Sequence, residues 1–332
     1  MRLADAGAIV AATVGRGART RTVLVRLRHD GTVVEDFGGV GAGSASAGRG
    51  AAAAVAADGA GRRIVVAVRG GRRLRLVGLD GAGRTRAGFG DRGSVALTPG
   101  SGPVALAVRG AQLVAGAGRA LTALDARTGR ILAPGAATPG AGDPAACAAA
   151  GVAALLLDGR GRVLVAGDTY GAAGCRAALA VHDARTLAPA GPPVAMDATR
   201  ALLLGLPGER DACVAAAGAG AVRARRVDPA TIGAADPLAG APPIAMAARE
   251  RLGGLAPVPG DGCDLLLARA GGGGRVVATG GAGEPMLLTA LPARFRAGAA
   301  SVCRRHLLVA GARPRHGRPA GALAVVPLGT HG

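Results

Sequence analysis

Short apolar runs, each bounded by glycine, proline or aspartate, recur along the whole chain. The clearest example lies within Asp158–Gly171, where an Asp-Gly pair precedes Val163, Leu164 and Val165, and Gly167 follows them. Asp-Gly pairs favour tight turns because glycine accepts a positive φ without steric cost. The segment therefore predicts a turn, a short strand and a second turn.

This predicted strand belongs to a repeat that is recognisable by a valine–alanine step. The residues that precede the alanine are Val10, Val66, Val114, Val165, Val214, Leu267 and Val309, separated by 56, 48, 51, 49, 53 and 42 residues. A second strand, commonly ending in Asp, follows each copy, and a weaker apolar run precedes several of them. Each unit of about fifty residues thus offers three or four strands, as a β-propeller blade does.

We therefore predict an all-β fold, a β-propeller of about seven four-stranded blades that forms a single domain over residues 1–332. Six or eight blades remain open. The predicted blade-like units lie near 5–41, 51–93, 103–137, 151–190, 201–233, 252–291 and 298–330. Residues 133–150 are interpreted as a long loop between the third and fourth units, because three prolines lie there among alanine and glycine.

The N-terminus superficially resembles a signal peptide, but its apolar run is short and follows Asp5. We interpret Ala8–Val14 as the strand of the first unit instead. No stretch approaches the roughly 18 apolar residues of a membrane span, so we predict no transmembrane segment. The compartment stays open between the cytoplasm and export by another route.

The net charge of the chain indicates which class of binding partner it would favour. The chain has no lysine and a net charge of +19, so its basic side chains are almost all arginine. Arginines alternate on three predicted strands, which places each pair on one face of its strand. These candidate polyanion-binding residues are Arg26 and Arg28, Arg73 and Arg75, and Arg223 and Arg225. A solvated basic rim is the alternative interpretation. With one Tyr, three Phe and no Trp for base stacking, we expect any nucleic-acid binding to be salt-sensitive and not sequence-specific.

Catalytic and cofactor motifs are missing from the sequence. It contains no H-E-x-x-H, no G-x-S-x-G and no lysine for a phosphate loop or Schiff base. The G-x-G-x-x-G match at Gly88–Gly93 leads into a predicted strand rather than a helix. We therefore predict no catalytic residue, no metal ligand and no cofactor.

The remaining polar residues are interpreted as structural. The Asp-Gly pairs that begin at Asp58 and Asp158 are expected to form turns, and Asp125, Asp183 and Asp228 to cap the turns that follow their strands through backbone N–H groups. His29 and His182 each precede the Asp that ends a strand, which suggests a shared turn geometry.

Five cysteines are present, and none forms a C-x-x-C pair. Cys147 and Cys175 could pair with each other. Cys213 and Cys303 are interpreted as single buried cysteines within strands.

Two segments carry a resemblance to a known repeat. RLRHDGTVVEDFG at 26–38 and DGAGRTRAGFGDRG at 80–93, with DGRGRVLVAG at 158–167, resemble the bacterial delta-sixty type β-propeller repeat. ALTALDARTGRIL at 120–132 resembles a quinoprotein-type propeller repeat, although the tryptophan expected after it is missing. Both resemblances imply a propeller, and the delta-sixty resemblance implies a bacterial protein but no activity.

The sequence therefore favours a non-enzymatic binding or scaffold propeller, whose partner is an unknown protein or a polyanionic ligand. The alternative is an enzyme with a polar site in the central channel, such as a hydrolase, a lyase or a quinoprotein-like enzyme. A channel lined by alanine, glycine and valine would favour the binding module, and a convergent cluster of Asp, His and Arg would favour the enzyme.

Overall fold

The fold was determined as a computed structural model. It describes residues 7–28, 30–58, 61–98, 102–137, 151–171, 174–196, 198–205, 212–232, 236–257, 263–269, 272–279, 286–293, 295–303, 306–315 and 318–327. No helix in these ranges is long and apolar enough to cross a membrane.

The described strands form seven antiparallel sheets, in each of which successive strands of the chain lie side by side. The first sheet contains β1 (Ala8–Val14), β2 (Arg21–Leu27) and β3 (Ala45–Arg49). The second contains β4 (Ala51–Ala57), β5 (Arg63–Gly70), β6 (Arg73–Asp80) and β7 (Ser94–Leu97). The third contains β8 (Val104–Arg109), β9 (Gln112–Ala117), β10 (Ala120–Asp125) and β11 (Ile131–Ala137).

The other four sheets follow in chain order. The fourth contains β12 (Val152–Leu157), β13 (Arg162–Gly171), β14 (Gly174–Asp183) and β15 (Val194–Ala195). The fifth contains β16 (Arg200–Gly205), β17 (Ala212–Gly218), β18 (Ala221–Val227) and β19 (Ile244–Ala245). The sixth contains β20 (Glu250–Pro257), β21 (Cys263–Arg269), β22 (Gly274–Thr279) and β23 (Met286–Leu291). The seventh contains β24 (Arg296–Cys303), β25 (His306–Arg315) and β26 (Arg318–Pro327).

The strands of a full sheet occupy four positions, here named A to D in chain order. The A strands β4, β8, β12, β16, β20 and β24 contact one another in that succession, so they lie on the inside of the arrangement. The first sheet holds positions B to D, because its bridge between Leu27 and Val33 matches the bridge between Leu79 and Thr85 in the second sheet. These sheets, arranged side by side around an axis, are the blades of a β-propeller. Closure of the ring between the first and seventh sheets stays a prediction.

The B strands carry the valine–alanine step and form the centre of the packing. On β5, Ile64 and Val66 pack towards the first sheet, while Val65 and Ala67 pack towards the third. A strand covered on both faces needs an uninterrupted apolar run rather than an alternating one. This requirement explains why the repeat is most regular in this strand.

Phenylalanine reinforces the packing between the first three sheets. Phe37 and Phe89 follow C strands at equivalent positions, and both are fully buried. The N–H of Gly38 donates to the carbonyl of Ala82 at 2.7 Å, and the N–H of Gly90 donates to the carbonyl of Thr128 at 2.7 Å. Each Phe-Gly turn is therefore hydrogen-bonded to the turn that follows the C strand of the next sheet.

The cysteines and one loop differ from the sequence-based interpretation. Cys213 on β17 forms a disulfide with Cys263 on β21, so the prediction that Cys213 is unpaired was wrong. The two residues are 50 positions apart, and the bond joins the B strands of neighbouring sheets. Residues 133–137 belong to β11 rather than to the predicted loop, and the rest of that loop lies outside the described residues. Cys147 also lies outside them.

Candidate polyanion-binding faces

The antiparallel order of the strands separates the turns onto two faces of the ring. Turns between A and B strands and between C and D strands lie at one edge of every sheet, and we name this side the AB face. Turns between B and C strands lie at the opposite edge, which we name the BC face. Because the sheets stand side by side, equivalent edges share a face.

Aspartates of the turns are gathered on the AB face, where their oxygens accept backbone hydrogen bonds. Asp80 accepts from the N–H groups of Ala82 at 2.9 Å and Arg84 at 2.8 Å. Asp158 accepts from Arg160 and Arg162 in the same way, both at 2.8 Å. The predictions that Asp58 and Asp158 lie in turns, and that Asp125, Asp183 and Asp228 cap turns, are confirmed by their backbone donors.

The hydrogen bonds also shift the pKa of two of these carboxyls. The backbone N–H groups of Thr186 and Arg185 lower the pKa of Asp183 below its usual range. Burial alone would raise the pKa of Asp125, but donors from Thr128 and Arg127 outweigh it, so that the pKa is lowered. Both carboxylates are therefore ionised and held in place by the turns they cap.

The BC face has a different composition. Its described turns in the first, second, third and fifth sheets contain no aspartate, and arginine takes a prominent place there instead. Exposed arginines of the first two sheets are concentrated around these turns, a group that we name the BC-face cluster: Arg16, Arg19, Arg21, Arg72 and Arg73. Among the side chains that the structure describes, the carboxylates nearest this face are those of Asp236 and of Glu250, whose side chain is fully buried. The BC face is thus strongly basic.

The six arginines predicted to bind polyanions are divided between the two faces. Arg73, Arg75 and Arg223 lie near the BC ends of β6 and β18. Arg26, Arg28 and Arg225 lie towards the AB ends of their C strands. The structure therefore does not bring the six together, and the pair on β18 in the fifth sheet lies three sheets along the chain from the pair on β6 and four from the pair on β2.

Two of the six arginines predicted to bind polyanions form hydrogen bonds between sheets of the protein. Arg26 donates to the carbonyl of Gly81 in the next sheet at 2.8 Å. Arg75 donates to the carbonyls of Ala47 and Arg49 at 3.3 and 3.1 Å, which joins the second sheet to the first. These side chains stabilise contacts between sheets, so the exposed Arg73 and Arg223 are better suited to reach an external anion.

Arg28 and Arg225 also donate locally. Arg28 donates to the carbonyl of Val33 at 3.1 Å, and Arg225 donates to the carbonyl of Ala239 at 3.2 Å. The members of the BC-face cluster other than Arg73 were missed in the sequence. The available signal was the contrast between turns with aspartate and turns with arginine.

The inner strands are mostly apolar along their described length. β4, β8 and β12 consist of alanine, valine and leucine, apart from Arg109 at the end of β8. In β16 and β20 the ionisable residues are at the start, namely Arg200, Glu250 and Arg251. Among the described residues, no group of three His, Cys, Asp or Glu is arranged to hold a metal ion.

His182 is buried between the third and fourth sheets rather than exposed at a rim. It lies on the face of β14 that also carries Ala180 and pairs with Val163, both of which are in the apolar cluster shared with the third sheet. Its Nδ1 is 3.0 Å from the carbonyl oxygen of Leu187. By its bridge to Pro189, His182 matches Leu27 of the first sheet, and His29 lies outside the described residues.

Comparisons with known proteins agree with this architecture. No protein-family model and no curated protein matches the sequence. Among solved structures, the chain is similar to the Myceliophteria thermophila Cps50 (Swd1) β-propeller domain, with a TM-score of 0.63 and 14% identity over 96% of this chain and 98% of that one. It is also similar to Kuenenia stuttgartiensis hydrazine synthase, with a TM-score of 0.58 and 9% identity over 98% of this chain and 94% of that one. The chain is therefore an all-β propeller, and the predicted fold is confirmed.

Proposed function

We propose that this propeller is a non-enzymatic binding module whose BC face takes up a polyanion through charge. The observation that carries the proposal is the separation of charge between the two faces. Turn aspartates lie beside the arginines of the AB face, whereas the BC-face cluster lies in turns without aspartate and at the first residues of the strands that follow them. An uncompensated basic surface attracts polyanions and releases their counterions on binding.

The inner strands support a binding module over the alternative of an enzyme with a polar channel. Their described residues are mainly alanine, valine, leucine and glycine, with ionisable residues at strand ends. A scaffold fold whose channel is apolar carries its chemistry on its turns. Those turns are where the charge lies in this protein.

The experiment compares two variants of equal net charge. The BC-face variant replaces each arginine of the BC-face cluster by glutamine. The AB-face control replaces five exposed arginines of the opposite turns by glutamine: Arg62, Arg84, Arg127, Arg160 and Arg185. Binding to duplex DNA of random sequence and to a sulfated polysaccharide is measured by fluorescence anisotropy at several salt concentrations.

We expect the BC-face variant to lose most of its affinity for both probes, while the AB-face control stays close to the unmodified protein. Equal losses in the two variants would show that total charge, rather than the BC face, governs binding, and would refute the proposal. Failure of the unmodified protein to bind either probe at low salt would refute it as well. Circular dichroism of each variant checks that the fold is intact.

The repeat type is a finer part of the same proposal. The buried Phe37 and Phe89, with their equivalent Gly38 and Gly90 hydrogen bonds, support a relationship of the first two units to the bacterial delta-sixty repeat. That relationship would make the chain a bacterial repeat protein of the binding type. Hybrid chains in which the two Phe-Gly turns are exchanged should fold normally if the two units are equivalent.

A further inference from the structure

A cavity of about 240 Å³ lies at the BC edge of the sixth sheet. Its polar lining comes from Glu250 at the start of β20, Arg269 at the end of β21 and Arg275 on β22. Its apolar lining includes Leu287 and Leu291 of β23. The walls therefore combine one carboxylate, two guanidinium groups and an aliphatic side.

One of the two carboxylate oxygens of Glu250 accepts no hydrogen bond. Its side chain is 0% exposed, and its Oε2 accepts from the N–H of Ala247 at 2.8 Å and from Nη2 of Arg275 at 3.1 Å. Its Oε1 is buried without a hydrogen bond, and Nε of Arg269 lies 3.6 Å from it. A buried carboxylate oxygen that lacks a donor is costly, so a bound donor at this atom would be favourable.

The two arginines can bind an anion in addition to Glu250. The side chain of Arg269 is 53% exposed and that of Arg275 is 30% exposed, so each can present N–H groups towards the cavity. Two guanidinium groups and one carboxylate leave the cluster with one net positive charge. A ligand with one negative charge would balance it, and a carboxylate matches the planar guanidinium fork.

We infer that this cavity binds a small hydroxy acid, meaning a molecule with one carboxylate and a hydroxyl on a nearby carbon. Because Oε1 of Glu250 is buried beside Nε of the half-exposed Arg269, at 3.6 Å, the ligand first draws the Arg269 side chain outward. The ligand carboxylate then accepts from Arg269, the hydroxyl donates to the uncovered Oε1, and the carbon skeleton packs against Leu287 and Leu291. A volume of about 240 Å³ limits the ligand to the size of a single sugar acid or a short-chain hydroxy acid.

The same atoms disfavour other small ligands. The dianion of a phosphate monoester presents only acceptors, which would face the carboxylate of Glu250 without a proton to donate. A neutral sugar has the donor but leaves the positive charge of the cluster unbalanced. An amino acid zwitterion carries a donor but no net charge, so it would also leave the cluster positive.

This inference does not rest on the proposed polyanion function. The cavity belongs to the sixth sheet, whereas the BC-face cluster belongs to the first and second sheets. Titrations with small ligands therefore give a result whether or not the protein binds DNA or a sulfated polysaccharide.

The experiment uses matched pairs of probes with the unmodified chain in isothermal titration calorimetry. 2-Hydroxybutyrate is compared with butyrate, and glucuronate with glucose. We expect each hydroxy acid to bind about tenfold or more tightly than its partner, because a hydrogen bond with a charged group is lost in the partner. Equal affinities within a pair, or no binding of either hydroxy acid at millimolar concentration, would overturn the inference.

A second arm uses variants. Arg269→Gln removes a half-exposed cation and should weaken hydroxy acid binding about tenfold or more. Because Nε of Arg269 also lies 3.6 Å from the buried Oε1 of Glu250, circular dichroism first checks that this variant is folded. Arg251→Gln is the control, because Arg251 is an exposed arginine of the same sheet outside the cavity lining. Unchanged affinity in Arg269→Gln, or an equal loss in both variants, would overturn the inference. In Glu250→Gln the N–H of Ala247 and Nη2 of Arg275 hold the amide oxygen in the place of Oε2, so the NH₂ group, a donor, takes the place of Oε1. This variant should lose the preference for 2-hydroxybutyrate over butyrate, and a retained preference, in a variant shown to be folded, would contradict the role of Oε1.

Discussion

The contact between Phe89 and Gly78 gives a sharp test of the packing within the second blade. The side chain of Phe89 lies close against the backbone of β6 at Gly78, where the glycine provides the space. A Cβ built at Gly78 would lie 2.5 Å from Cγ and 2.7 Å from Cδ1 of Phe89. Real Cβ atoms do not approach other atoms so closely, so either the ring or the strand must move in Gly78→Ala.

The loss of unfolding free energy expected for Gly78→Ala depends on where the ring of Phe89 can move. Phe89 is fully buried and packs between the second and third sheets, so its ring cannot turn into solvent. Overpacking of this kind lowers the free energy of unfolding by about 1–3 kcal/mol. Replacing Phe89 by alanine leaves a cavity and should cost about 3–5 kcal/mol.

The two changes should not be additive. Once the ring is gone, alanine at position 78 meets no obstacle, and its smaller unfolded-state entropy should make it neutral or slightly stabilising. The coupling energy in the double-mutant cycle is therefore expected to be about 1–3 kcal/mol. The assay is urea unfolding followed by circular dichroism, with Phe89→Leu as a second background in case Phe89→Ala does not fold.

Gly88→Ala is the matched control, because a Cβ at Gly88 meets nothing within 4 Å although it adjoins Phe89. It should change the free energy of unfolding little. Additivity of Gly78→Ala and Phe89→Ala within about 0.5 kcal/mol would refute the packing described for this blade.

Three further predictions concern other parts of the propeller. Reducing the Cys213–Cys263 bond should lower the free energy of unfolding by about 2–4 kcal/mol, and the urea midpoint of Cys263→Ser should respond less to reductant than that of the unmodified protein. The N–H of Thr186 lowers the pKa of Asp183 in the folded protein. The stability that this group contributes is therefore present above the unfolded pKa of about 3.9 and is lost as pH falls through the lower folded value. In thermal melts, the melting temperature of Asp183→Ala should fall less on acidification than that of the unmodified protein. Gly38 has a φ of +93° and its Cβ would collide with a backbone carbonyl, so Gly38→Ala should lower the melting temperature strongly, and an unchanged melt would contradict the turn geometry.

The sequence predicted the parts of the fold that depend on local chemistry. The valine–alanine steps marked the B strands because those strands are covered by neighbouring sheets on both faces. Asp125 and Asp158 marked turns because an Asx-type turn needs their oxygens. The similar segments 26–38 and 80–93 marked equivalent turns of the first two blades, because Phe37 and Phe89 within them are both buried after C strands.

Other features have no local signal. The A strands β4, β12, β20 and β24 carry a β-bulge near their first residues, for example between Ala52 and Ala54, and alanine does not mark a bulge. The short fourth strands β15 and β19 have two residues each and lie beyond the ends of the predicted units. The Cys213–Cys263 bond depends on how neighbouring sheets meet, which spacing alone does not reveal.

The candidate site could be predicted only in part, because strand periodicity does not reveal which face of the ring a residue occupies. Alternation placed Arg73 and Arg75 on one face of β6, as observed. It could not show that Arg75 is engaged with the carbonyls of Ala47 and Arg49 while Arg73 is exposed. That distinction arises from contacts between sheets.

The most direct test of the account is the salt dependence of duplex DNA binding by the unmodified protein, the BC-face variant and the AB-face control. Each phosphate contact contributes about 0.9 to the slope of log affinity against log salt, so losing the five arginines of the BC-face cluster should reduce the magnitude of the slope by up to about 4.5. The account predicts this reduction for the BC-face variant and an almost unchanged slope for the AB-face control. The same slope for all three proteins would contradict the central claim that the basic BC face binds polyanions.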